Sequence, residues 1–204
     1  MKRAVLTYIR VIDAMNYRVG RFAMYLLFVL IGVLLWSIFM RAMSYNFDGF
    51  IPAGWTIEIA KFLLVAYFIV GGPYSMQLGA NVRMDLFYGG WTPKQKAWMD
   101  AITILFLAFY LSVVLNGAAS SLAYALGAHY KLGAWEFFGM LISSFFTGGF
   151  DAAGEHLGRF EATRTWKLPL WPIKLTIALG VILMLLQASS ELLKDLLRIR
   201  GEEI

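Results

Sequence analysis

Four stretches of this chain, residues 22–42, 57–76, 101–125 and 170–193, are apolar over 20 residues or more. A helix rises 1.5 Å per residue, so each is long enough to cross a hydrocarbon core about 30 Å thick. No other feature constrains the fold as much. The 204 residues are 60% hydrophobic and 15% charged, with mean hydropathy +0.66. A water-soluble domain of this size cannot hide that much apolar surface, so lipid is the solvent for much of it. The expected fold is an all-α integral membrane protein with four transmembrane helices, an N-terminal amphipathic helix and a long connection between helices 3 and 4.

Residues 1–21 are basic, with Lys2, Arg3, Arg10, Arg18 and Arg21 against Asp13. Val5, Tyr8, Ile9 and Ile12 recur at helical spacing, which predicts a short amphipathic helix on the membrane surface. The apolar run that follows is too long for a signal-peptide core and lacks a small-residue cleavage site, so no removal is expected. In the second span, Gly71-Gly72-Pro73 predicts a kink or an early stop. A polar hairpin follows. Thr92-Pro93 then reads as an N-cap and first helical residue. Asn116 and the run Gly117-Ala118-Ala119-Ser120-Ser121 in the third span suit close helix contact.

Residues 127–167 form the long connection. Within it, 132–150 is apolar and aromatic but carries Glu136 and four glycines. It could span, re-enter or lie on the membrane. Positive charge decides against spanning. With four spans, the side holding both termini and the middle hairpin carries eleven Lys and Arg, and the other side carries five. Bases stay in the cytoplasm, so the termini are expected inside. A fifth span would carry the basic tail across.

Zero cysteines exclude disulfides and thiolate metal sites. Two histidines, His129 and His156, lie outside the apolar runs, which argues against a membrane haem. No nucleotide loop or metal spacing occurs, so no catalytic, cofactor or metal residue is assigned and no cofactor is expected. A lipid enzyme using His129, His156, Asp151 and Glu155 has no motif behind it. The net charge of +5 is read as membrane topology and contact with lipid headgroups, not nucleic acid. Charges at span edges mark contacts instead. Glu58 and Lys61 stand at i and i+3 and could pair. Lys174 lies one turn into the last span and can snorkel outward.

Trp55-Thr56-Ile57-Glu58, Gly71-Gly72, Asn81-Val82-Arg83-Met84-Asp85 and Trp171-Pro172-Ile173-Lys174 occur in that order across nearly the whole chain. This resembles the small, Q-type (DctQ-like) membrane subunit of tripartite ATP-independent periplasmic (TRAP) transporters. Asn81 stands where the family often has His, and the third connection is longer than in compact members. The resemblance implies a non-enzymatic scaffold in the bacterial inner membrane. Its partners would be a large TRAP membrane subunit, which moves an organic acid on a sodium gradient, and a periplasmic substrate-binding protein. Trp55, Glu58, Lys61, Asn81, Arg83, Asp85, Trp171 and Lys174 are the expected partner or headgroup contacts. The rival reading is an accessory structural subunit of another membrane complex, respiratory or light-harvesting, without a transport role.

Overall fold

The computed structural model describes residues 2–47, 54–78, 90–129, 132–158, 160–163 and 167–201. Within them are five helices: α1 (Lys2–Asn46), α2 (Trp55–Gln77), α3 (Pro93–Ala125), α4 (Ala134–Glu155) and α5 (Trp171–Ile199). Four of these, all but α4, are long and apolar enough to cross a membrane. The expected four-span, all-helical architecture therefore stands.

The N-terminal segment is helical, but no boundary separates it from the first span. Residues 2–46 form one helix of 45 residues, about 67 Å long and twice the hydrocarbon thickness. The reason is local. No proline interrupts these residues, and a change from amphipathic to wholly apolar sequence at Phe22 does not stop a backbone hydrogen-bond ladder. The apolar stripe is not left for the membrane surface either. Ile9 and Ile12 are buried, and the Tyr8 hydroxyl lies 2.7 Å from Ser189 Oγ on α5.

Pro73 does not end α2, which runs four residues further to Gln77. Proline forfeits one hydrogen bond, and burial of Pro73 against the rest of the bundle accompanies its retention. Thr92 caps α3 as expected. Its side chain accepts from the Gln95 amide, the Gln95 side chain accepts from the Thr92 amide at 2.9 Å, and Pro93 occupies the first turn. At the other end of α3, Gly127 adopts φ 96°. A Cβ there would lie 2.6 Å from the Gly158 backbone, so glycine is required by both conformation and space.

The helix α5 is the hub. It packs on α1, α2 and α3, while α1 and α2 form an antiparallel pair and α4 touches α3. Three glycines set how closely the spans approach. A Cβ on Gly20 of α1 would lie 2.2 Å from Tyr74 Cβ, and one on Gly180 of α5 would lie 2.1 Å from Ile69 Cγ2. One on Gly72 would meet the tip of Met184. In lipid, where apolar side chains gain nothing by leaving solvent for each other, such close contact is a main source of helix association.

Candidate functional site: polar fastenings at the two ends of the bundle

The buried polar side chains gather at the two ends of the bundle. At the end holding both termini, Gln187 of α5 is fully buried. Its Oε1 accepts from Asn16 Nδ2 of α1 at 2.7 Å, and its Nε2 donates to Asp13 Oδ1 at 3.1 Å and Glu191 Oε1 at 2.9 Å. Asp13 also accepts from Ser190 Oγ at 3.2 Å and pairs with Lys194 Nζ at 2.7 Å. Lys194 closes the circuit to Glu191 Oε1 at 2.8 Å. From α2, Gln77 donates to the Asp13 carbonyl at 3.3 Å. Three helices are thus joined at one level. Two carboxylates share one ammonium and several neutral donors, so neither acid is left bare.

At the opposite end, the connection between α4 and α5 folds back over the span ends. Leu126 and Ala125 carbonyls accept from the Gly158 and Glu161 amides, and a single antiparallel bridge joins Ala162 to Pro169. Glu58 of α2 accepts from Thr163 Oγ1 of this loop at 2.8 Å. Lys174 of α5 donates to Glu161 Oε2 at 2.5 Å and to the Ser121 carbonyl of α3 at 3.2 Å. Its ammonium also stands 5.8 Å from the centre of the Tyr124 ring. Below this, Thr56 Oγ1 donates to Ser37 Oγ at 2.9 Å, linking α2 to α1.

The helix α4 hangs from α3. Ala134 and Phe137 pack on Ala119 and Ala123, and Trp135 Nε1 donates to Asn116 Oδ1 at 3.0 Å. Asn116 thus bonds across to a neighbouring helix. At Gly149, φ 72° and ψ −158° break the helix, a conformation confined in practice to glycine. The chain doubles back there, and Ser144 Oγ comes within 2.8 Å of His156 Nε2. In a straight helix those residues would stand about 18 Å apart. The hairpin tip is apolar and open, with Phe146 81% and Phe150 83% exposed.

Among the residues singled out from sequence, the structure brings Glu58 and Lys174 to one loop, 160–170, through Thr163 and Glu161. It does not pair Glu58 with Lys61: no such ion pair occurs among the described residues, and Lys61 is exposed. Trp55 is exposed and Trp171 half-buried at the same end. Asn81, Arg83 and Asp85 lie outside the described residues. The fastening around Gln187 escaped sequence reading, since its members are as far apart as Asp13 and Ser190, 177 residues, and Asp13 and Lys194, farther still. The one signal available was a glutamine and a serine pair interrupting an otherwise apolar span. No group of three or more metal-ligating side chains occurs among the described residues.

No curated protein and no solved structure matches this chain. A family model does, that of the DctQ component of tripartite ATP-independent periplasmic transporters, over residues 30–138. The match begins in the apolar half of α1, takes in α2, α3 and the polar stretch of sequence between them, and ends in the first turns of α4, just over half of the sequence. The Trp171-Pro172-Ile173-Lys174 motif lies beyond it. On that match, the chain belongs to the DctQ components of the tripartite ATP-independent periplasmic transporters.

Proposed function

We propose that this small membrane component is the static brace of its transporter. In this reading a large membrane subunit moves an organic acid on a sodium gradient, and a periplasmic binding protein delivers the substrate. The family is one of transporter components and not of enzymes. The observation that carries the proposal is the distribution of polar groups. A solute path through a membrane needs polar groups in series along its length. Here the described polar contacts between spans are concentrated at the two ends, and the middle is closed by Gly72 against Met184, Gly180 against Ile69, and Leu30 against Ala60 and Leu63. The polar groups fasten helices together.

The excess of bases at the terminal end supports cytoplasmic termini in a bacterial inner membrane. The 160–170 loop and α4 then face the periplasm, where the binding protein arrives. Glu58 and Lys174 serve this surface indirectly, by holding the loop in place. Trp55, Lys61 and Trp171, and Asn81, Arg83 and Asp85 in the hairpin, are assigned to the partner or to headgroups. An open apolar face of α3, with Phe106, Phe109 and Val113 exposed, suits the large subunit's scaffold.

Reconstitution in liposomes tests this. The large subunit and binding protein should take up substrate on a sodium gradient with this chain present, and at most a few per cent as fast without it. Solute movement by this chain alone, or full uptake in its absence, would overturn the brace.

A further inference from the structure

The fastening at the terminal end borders an open cleft of about 760 Å³ between α1, the end of α2 and the end of α5. Its lining mixes two chemistries. Leu6 and Ile9 supply an apolar wall, while Arg10, Arg18 and Lys194 supply three cations. The lone lining acid, Asp13, is occupied by Lys194 at 2.7 Å and by the Gln187 and Ser190 donors. Arg10 and Arg18 are different: both are exposed, and neither makes an ion pair or hydrogen bond among the described residues.

Their placement on α1 matters. Leu6, Arg10, Ala14 and Tyr17 follow helical spacing along one face. Arg10 and Arg18 are separated by about 12 Å of helix rise and stand on either side of the level at which Asp13, Gln77 and Lys194 meet. That level is where α5 takes its first charge after residues 175–190 and α2 reaches its end, while the apolar run of α1 begins farther along, at Phe22. Arg18 therefore lies nearer the apolar span that begins at Phe22 and Arg10 farther from it, and both side chains are long enough to bend toward the level between them. Arginines beside an apolar flank at a membrane surface attract the anionic headgroups there. Gln77 closes the same cleft from the α2 side.

We propose that this cleft binds the headgroup of an anionic phospholipid. The phosphodiester lies between the Arg10 and Arg18 guanidinium groups, and the acyl chains run up the apolar flank of the bundle. Guanidinium forks match phosphate oxygens in two-point contact, which a zwitterionic lipid opposes with its own ammonium. The inference stands on the cleft alone and holds whichever membrane face the termini occupy.

The test uses the full chain in nanodiscs of phosphatidylcholine doped with phosphatidylglycerol, with native mass spectrometry counting the lipids retained on release. Wild type should retain phosphatidylglycerol at least tenfold over phosphatidylcholine. Arg10→Gln with Arg18→Gln should bring that ratio near one, with unchanged helical circular dichroism because both side chains are exposed. Arg10→Lys with Arg18→Lys should keep part of the preference, since charge remains but the planar fork is gone. Millimolar inorganic phosphate should leave retention unchanged. Equal retention by wild type and the glutamine variant would overturn the proposal. So would displacement of the lipid by phosphate, which would make this a site for a free anion.

Discussion

Replacing Gln187 with leucine tests whether the terminal fastening specifies the packing of α1 on α5. The two side chains are similar in size, so the change is mainly one of polarity. Leucine removes three hydrogen bonds at once, those to Asn16, Asp13 and Glu191. The two acids survive it, because Asp13 keeps Ser190 and Lys194, and Glu191 keeps Lys194. Asn16 does not. It is 1% exposed, its Oδ1 already lacks a partner, and Gln187 is the acceptor for its Nδ2. A buried amide left wholly unsatisfied costs about 1–3 kcal/mol, and each of the two other bonds contributes about 0.6 kcal/mol on the membrane-protein average. Gln187→Leu should therefore destabilise the fold by about 2–4 kcal/mol. Adding Asn16→Leu removes the stranded amide, since replacing both partners by apolar groups is nearly neutral where removing one is not. The double variant should be more stable than Gln187→Leu by about 1–2 kcal/mol. Unfolding in mixed micelles, followed by circular dichroism for wild type, both single variants and the double, gives the coupling directly, with each residue's own transfer energy cancelling in the cycle. Additive losses, with the double variant the least stable of the four, would refute the reasoning.

Gly20→Ala places a Cβ 2.2 Å from Tyr74 Cβ and should cost about 1–3 kcal/mol through overpacking, whereas Gly71→Ala meets nothing within 4 Å and should be neutral or mildly stabilising; thermal melts in detergent separate the two. Gly72→Ala should fall between them, because the obstacle there is the flexible end of Met184. Gly149→Ala should strain the α4 tip by about 1–3 kcal/mol and open the hairpin, read as a longer distance between spin labels at residues 140 and 152. Lys174→Met removes a pair whose carboxylate is 36% exposed, so global stability should change by less than about 1 kcal/mol. The loop at 160–170 should nevertheless be cut several-fold faster in limited proteolysis, and unchanged cleavage would show that Lys174 does not hold it.

The spans were legible because their signal is local. Length and hydropathy place 22–42, 57–76 and 101–125 inside three of the helices and 170–193 within one residue of the start of a fourth, and Thr92-Pro93 announces the start of α3. Two local signals say little about where a helix ends. The composition change at Phe22 looks like an element boundary, yet nothing in the backbone obliges a helix to stop there. Pro73 looks like a breaker, yet tertiary packing carries α2 past it. Side-chain pairing was the least legible layer. Glu58 has a cation three residues away, and its partner is Thr163, 105 residues on. Gln187 reads as a solitary polar group, and its partners include Asn16, 171 residues earlier. Helical spacing carries information about neighbours on one helix and none about which helix will come alongside.

That missing layer is the one that makes a brace rigid. Apolar helices in lipid have little reason to prefer one rotation or register over another, since side chains and acyl chains are alike to them. A hydrogen-bonded point fixes rotation, and two such points fix register as well. The central helix α5 has both. Lys174 ties it to Glu161 and Ser121 at one end, and Gln187, Ser190 and Lys194 tie it to Asp13 and Asn16 at the other. The two fastenings are about 20 Å apart along the helix axis, most of the thickness of the hydrocarbon core. Between them Gly180 seats Ile69 too closely for α5 to slide or turn. The static role proposed for this component calls for this arrangement, whereas a subunit that rocked about its own centre would need its polar contacts there instead.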